Sequence, residues 1–181
     1  MDGVGFFKRW LGGTEAPAQR PDDRRQAPTG TRMLVVDDSP TICAVLGRML
    51  EQDGYAVQKA ADGEHALELA RAELPELIFL DIVLPGINGF AVLRALRHDP
   101  LTARIPIVMI SGNPQATEQF YVQRYGADDF MKKPFGRAEV TASIDALVRA
   151  GRMPARDVAF ERILAQGLSC DANVGVASLA T

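Results

Sequence analysis

Five polar residues at or near the ends of apolar runs in this 181-residue chain together have the chemistry of a phosphoryl site. Asp37 and Asp38 follow one run, Asp81 a second and Ser111 a third, and Lys133 stands just before Pro134 at the end of a short strand candidate. Each run is typical of a buried parallel strand, so the five side chains are expected at the carboxyl edge of one sheet, where open α/β sheets place their chemistry. The set suits a divalent cation and a phosphoryl group held against a nucleophilic aspartate.

The acidic pair Asp37-Asp38 admits two interpretations. The two carboxylates could be solvated loop groups, one of them capping a helix. A backbone cradle for phosphate would instead call for Gly, Ser or Thr at these positions. Because two carboxylates repel a phosphate unless a cation intervenes, the functional interpretation is a Mg²⁺ site. In it Asp38 is a direct ligand and Asp37 a second ligand, direct or through water.

Asp81 and Ser111 each end an apolar run and each has an ordinary explanation as well. Asp81 could point into solvent or cap a helix, and serines are common at strand ends. The loop 82–89 after Asp81 has strong turn chemistry, which fixes the backbone just past the carboxylate. In the functional interpretation Asp81 is a nucleophile that forms an aspartyl phosphate, and the Ser111 hydroxyl donates to a phosphate oxygen.

Lys133 follows Lys132, and two adjacent lysines are usually a solvated pair. Side-chain alternation from Phe130 sends residues 131 and 133 to the same side, which favours a position for Lys133 at the site. Pro134 comes next, and a cis peptide fits here because X–Pro is the one bond where cis costs little.

Five strands and five helices are predicted to position these residues, as a doubly wound parallel sheet with helices on both faces. The predicted strands are Met33–Val36, Tyr55–Lys59, Leu77–Leu80, Ile105–Ile110 and Asp129–Lys132. The predicted helices run from the Ser39-Pro40 cap to Gly54, and over Glu64–Arg71, Phe90–Arg97, Gln115–Tyr125 and Arg137–Arg149.

Three regions are expected along the chain: an N-terminal extension over 1–31, a domain over 32–152 and a C-terminal extension over 153–181. Residues 5–11 combine aromatic and basic side chains. They are either a short amphipathic anchor for a partner or a membrane surface, or a sticky patch on a flexible end. So short a span gives only marginal membrane binding. A short helix is predicted over 154–168, followed by a disordered tail.

Bulk composition narrows the class of protein. The formal net charge of -3 argues against non-specific nucleic-acid binding. The two cysteines, Cys43 and Cys170, form neither a disulfide framework nor a metal-type spacing, which favours a reducing compartment. With no spanning segment or signal peptide in the sequence, a cytoplasmic protein is expected.

Four motifs in order resemble the receiver (CheY-like) domain of bacterial two-component response regulators. They are Met33–Pro40, Leu80–Gly89, Met109–Gly112 and Lys132–Phe135. Asp81 and Ser111 are 30 residues apart and Ser111 and Lys133 are 22 apart, which matches the family's usual spacing. The resemblance covers roughly residues 32–152. In detail, the segments Asp38–Thr41 and Asp81–Phe90 are similar to those of stand-alone regulators of chemosensory and twitching-motility (type IV pilus) systems.

The resemblance implies a role for each site residue. Asp81 would be the phosphoacceptor, and Mg²⁺ would be held by Asp37, Asp38, Asp81 and the Val83 carbonyl. Ser111 and Lys133 would contact the phosphate, and Phe130 would be the aromatic switch together with Ser111. The sheet order 2-1-3-4-5 follows from the family too.

The implied function is a phosphorylation-dependent switch rather than an enzyme with its own substrate. A histidine kinase of chemosensory type would phosphorylate Asp81. Phosphorylation would remodel the face made by the fourth helix, fifth strand and fifth helix, and the protein would be a monomer or a phosphorylation-dependent dimer.

One alternative function is a phosphate sink or shuttle without output of its own. A phosphoester hydrolase is another, but Val83 stands where such enzymes carry a second aspartate. A flavin site is disfavoured by Asp37-Asp38. Val83 cannot orient water, so slow self-dephosphorylation is expected.

Overall fold

Parallel strands and helices alternate along residues 26–112 and 126–156, which are the residues that this computed structural model describes. The strands are β1 (Arg32–Val36), β2 (Ala56–Ala60), β3 (Leu77–Asp81), β4 (Ile107–Ser111) and β5 (Asp129–Lys132). The helices are α1 (Pro40–Gln52), α2 (Gly63–Glu73), α3 (Gly89–His98) and α4 (Arg137–Arg149). The predicted helix over 115–125, residues 5–11 and residues 157–168 lie outside the described residues. Residues 154–156 are irregular rather than helical.

The five strands form one parallel sheet in the order β2-β1-β3-β4-β5, which confirms the doubly wound fold and the predicted strand order. The register pairs Val36 with Leu80, Asp81 with Ile110, and Ser111 with Lys132. The carboxyl ends of the four strands β1, β3, β4 and β5 are therefore level with one another.

Alternating side chains of the central strands fill two separate cores. Met33, Val35 and Phe79 belong to the core covered by α1 and α4, whereas Leu34 and Leu80 belong to the core covered by α2 and α3. Every residue of β3 and β4 is buried, as expected for parallel strands with helices on both faces. No helix of the described residues is long and apolar enough to cross a membrane.

Local signals set most of the element bounds. Ser39 caps α1, accepting a hydrogen bond from Ile42 N, and Pro40 occupies the first turn, as the sequence predicts. The strand β4 begins two residues later than predicted. Ile105 N donates to Thr102 O in a turn, and Pro106 has no N–H to donate to the sheet.

Candidate functional site

The predicted site residues meet at the carboxyl edge of the sheet. Asp81 and Ser111 are the last residues of β3 and β4, and Asp37 and Lys133 directly follow β1 and β5. Because the strands are parallel and in register, four chain segments far apart in sequence deliver their polar side chains to one place. Only Asp38 of the five is exposed; Asp37, Asp81 and Ser111 are buried.

The Lys133 ammonium bridges two buried carboxylates. Its Nζ lies 2.7 Å from Asp37 Oδ2 and 2.8 Å from Asp81 Oδ2. The lysine side chain is mostly buried as well, so solvent screens these contacts less than those of a surface pair. The structure thus supports the position that side-chain alternation along β5 assigned to Lys133, and not a solvated lysine pair.

The Asp37 carboxylate has one oxygen with a conventional partner and one without. Oδ1 accepts a hydrogen bond from Ser39 N at 2.9 Å. Oδ2 is buried, and apart from the ion pair with Lys133 it has no well-directed hydrogen bond from any residue in the described ranges. A buried carboxylate oxygen needs a positive charge beside it, which the Lys133 ammonium supplies here and which a metal ion would also supply.

Three carboxylates are close enough to share one metal ion. Asp37, Asp38 and Asp81 each offer an oxygen, and these atoms lie within 4.8 Å of one another. Mg²⁺ prefers hard oxygen ligands and keeps several waters, so two buried carboxylates beside an exposed one fit it. The donor set and the incompletely bonded Asp37 oxygen therefore agree with a magnesium site.

For Asp81 and for Lys133, burial and the oppositely charged neighbour shift the pKa in opposite directions. Burial raises the pKa of Asp81, and the negative charge of Asp37 adds to this, while Lys133 works against it without cancelling it. Burial by itself lowers the pKa of Lys133, but the Asp37 and Asp81 carboxylates outweigh it, so that pKa is raised. The lysine is thus held as a cation beside a carboxyl group that ionises reluctantly.

The backbone around Asp81 is fixed by a close approach that sequence reasoning missed. A Cβ on Gly89 would lie 2.1 Å from Asp81 O, so only glycine fits at this point. Gly89 N donates to Ile82 O, and Ile82 N donates to Ile110 O, which ties the loop to β4. The sequence signal was present, since the Asn88-Gly89 pair ends the turn-rich loop after Asp81.

The ends of β4 and β5 are joined through Ser111 and Lys133. Lys133 N donates to Ser111 O at 2.7 Å, and the Lys133–Pro134 peptide is cis, as the sequence suggested. Phe130 is half-buried and packs against the core under α2 and α3. Val83, two residues past Asp81, is 66% exposed.

Known proteins match this architecture and its sequence. The family model of the response regulator receiver domain matches residues 33–145. The chain is 39% identical to Protein PilH of Pseudomonas aeruginosa over 65% of this chain and 97% of that protein. It is 40% identical to the alkaline phosphatase synthesis transcriptional regulatory protein PhoP of Bacillus subtilis, over 68% of this chain but 51% of that regulator. The chain thus spans nearly all of PilH and about half of this transcriptional regulator.

Solved structures of receiver domains are also similar to this chain in fold and sequence. A CheY-like receiver domain protein of Methanospirillum hungatei is 26% identical with a TM-score of 0.62, over 66% of this chain and 94% of that one. The receiver domain of the sensor histidine kinase PA1611 from Pseudomonas aeruginosa, solved with magnesium coordinated in its active-site cleft, is 30% identical with a TM-score of 0.60, over 64% and 95%. Fold, edge geometry and sequence match together place this chain in the response regulator receiver domain family.

Proposed function

We propose that this protein is a phosphorylation-dependent response regulator in which Asp81 accepts a phosphoryl group from a histidine kinase. The observation that carries the proposal is the Lys133 ammonium held between buried Asp37 and Asp81, with exposed Asp38 beside them. Buried carboxylates around a lysine would be an expensive way to stabilise a fold, and the cost is understandable at a site for a cation and a phosphate.

In the proposed reaction an Asp81 carboxylate oxygen attacks phosphorus while the bond from phosphorus to the donor histidine nitrogen breaks. The electron pair of that bond stays with the imidazole. Mg²⁺, when bound, neutralises charge on the phosphoryl oxygens. Asp37, Asp38, Asp81 and the Val83 carbonyl would hold it. Lys133 leaves Asp81 for a phosphate oxygen, and the Ser111 hydroxyl donates to another.

The switch would pass from the phosphate to the surface through Ser111 and Phe130. Ser111 moves toward the phosphate, and Phe130, which is only half-buried in this structure, turns inward. The face that changes comprises β5, α4 and the helix predicted over 115–125. Phosphorylation then shifts the balance between two packings, and the output is a contact with another protein.

We place this switch in a chemosensory or type IV pilus pathway in the cytoplasm, with a histidine kinase as donor. Support for the pathway comes from the near full-length similarity to PilH. We further propose that residues 32–152 are the receiver and that 1–31 and 153–181 are extensions that do not take part in the chemistry.

The test is phosphorylation of the full chain by acetyl phosphate with Mg²⁺, followed by intact mass and by pull-down with beryllofluoride. Wild type is expected to gain one phosphoryl group, and Asp81→Asn none. Asp99→Asn, which removes an equal charge outside the cluster, is the matched control. Uptake by Asp81→Asn at the same site would overturn the proposal. Rapid loss of phosphate without any gained partner would favour the phosphate sink instead.

A further inference from the structure

We infer that residues 150–156 form a strap across the amino-terminal edge of the sheet, which joins the receiver to residues 26–31 and holds the exits of both extensions side by side. The receiver family match ends at residue 145. The described chain continues past α4, turns at Gly151 and is fastened at two points, one near β5 and one near β1 and β2. The strap is thus part of the folded unit.

The first fastening point is Asp128, just before β5. Arg152 Nε donates to Asp128 Oδ1 at 2.6 Å, and Arg97 Nη2 donates to Asp128 Oδ2 at 2.8 Å. Ile107 N donates to the same Oδ2, so this carboxylate joins the strap, α3 and the start of β4. The Arg152 side chain is exposed, but the Asp128 carboxylate that it binds is mostly buried and is held by Arg97 and Ile107, so one of the two partners is already fixed in place.

The second fastening point is Arg156. Its backbone N–H donates to Gln26 O at 2.6 Å, and its Nη1 donates to Gln26 Oε1. Nη2 donates to Asp53 O at 2.9 Å, and the guanidinium lies 6.0 Å from the centroid of the Tyr55 ring. One arginine therefore binds the chain before β1, the end of α1 and the start of β2, and the planar fork of guanidinium suits such multiple contacts.

Burial of apolar side chains also holds the strap and residues 26–31 to the domain. Met153 and Ala27 are both buried in the core under α1 and α4. Gly30 N donates to Gly54 O at 2.7 Å, which binds residues 26–31, the segment that the strap contacts, to the turn before β2. Burying two apolar side chains from outside the matched family region gives the strap a hydrophobic as well as a polar basis.

The strap lies at the opposite edge of the sheet from the Asp81 cluster. Asp53, Tyr55 and Asp128 precede strands, whereas Asp81 and Lys133 end or follow them. Strands of this length separate the two edges by about 16 Å. The described chain therefore begins at Gln26 and ends at Arg156 side by side, at the edge of the sheet remote from the phosphoryl site.

Hydrogen exchange of the full chain tests the strap. In Arg156→Ala the Gly30 and Thr31 amides are expected to exchange at least about tenfold faster, because Gln26 Oε1 and Asp53 O lose their guanidinium donors and local opening becomes easier, although the backbone bond to Gln26 O stays. Arg149→Ala, which removes an equal charge whose partner Asp145 lies on the same helix, is expected to leave these amides unchanged. Amides of β3 report global unfolding. Should Arg156→Ala fail to fold, Arg156→Lys is used, and it is expected to have the same effect at a smaller size.

Unchanged exchange at Gly30 and Thr31 in a folded Arg156 variant would overturn the strap. The separation of strap and site has its own readout, since Arg156→Ala is expected to take up phosphate from acetyl phosphate at the wild-type rate. A rate lowered more than about threefold, which exceeds a small stability effect, would contradict that separation. The exchange measurement needs no phosphoryl group, so its outcome does not depend on whether Asp81 is the acceptor.

Discussion

Lys133 Nζ donates to Asp81 Oδ2 at 2.8 Å, across 52 residues of sequence, and the same ammonium lies 2.7 Å from Asp37 Oδ2. The two carboxylate oxygens that face the lysine belong to residues that we assign to the metal. We therefore expect a bound cation and Lys133 to compete for the same negative charge. In this arrangement the lysine would offset the carboxylate charge when no cation is bound and would lower the affinity for the cation.

Replacing Lys133 by Met should make Mg²⁺ bind more tightly, by up to about tenfold, which is ~1.4 kcal/mol. The reason is that the competing ammonium is removed while Asp37, Asp38 and Asp81 remain. Isothermal titration of magnesium into both proteins measures the change. Lys132→Met removes an equal charge from an exposed neighbour and should have little effect. Weaker magnesium binding in Lys133→Met would contradict the competition.

The raised pKa of Asp81 predicts a pH dependence of stability without magnesium. A carboxyl group whose folded pKa lies above its unfolded value binds protons more tightly in the folded state. Its contribution therefore favours folding at low pH and is lost as pH rises from the ordinary value of 3.8 through the raised pKa. Urea unfolding across this window should show wild type losing stability relative to Asp81→Asn. A free-energy difference that stays constant with pH would refute this assignment.

Gly89→Ala should displace the loop 82–89 that follows Asp81. An alanine Cβ at this position would clash with Asp81 O, so we expect a loss of about 1–3 kcal/mol in the free energy of unfolding and slower phosphoryl uptake. Gly112→Ala is the matched control, since a Cβ there meets nothing within 4 Å among the described residues. Its stability should stay within about 0.5 kcal/mol of wild type. Equal losses in the two variants would rule out the close approach as the cause.

The exposed Val83 should give the phosphorylated protein a long lifetime, because its side chain cannot orient a water molecule. Val83→Asn, which can, should shorten the lifetime by about tenfold. Leu101→Asn makes the same polar change at a comparably exposed residue, 67% against 66%, away from the site, and should have no effect. Phosphate loss from each purified phosphoprotein is followed by mass. A wild-type half-life of seconds would show the prediction to be wrong.

Local sequence patterns were enough to predict most of the fold. The apolar runs before Asp37 and Asp81 are buried on both faces of the sheet, so their boundaries are visible without any partner. The Ser39-Pro40 cap and the bounds of α4 were predicted for the same reason, since caps and helical spacing are local. Once parallel strands were assigned, the carboxyl-edge position of the five polar residues followed from topology alone.

Long-range pairings could not be predicted in the same way. Nothing near Arg156 in the sequence points to Gln26, which lies 130 residues earlier. The bridging position of Lys133 between two carboxylates and the contact of Gly89 with Asp81 likewise depend on how loops pack after the strands are placed. Such contacts involve single atoms of distant segments, and hydrophobic periodicity carries no information about them.

The hydrogen bonds between Gln26 and Arg156 hold the two ends of the described domain together, which matters for domain insertion and circular permutation. A domain whose two ends touch can be spliced whole into a surface loop of another protein, or reopened elsewhere after its ends are linked, with little disturbance of its core. Residues 26–156 have that property, with both ends on the edge remote from Asp81. A host protein could therefore carry this receiver as an insertion with its phosphoryl site still facing the solvent.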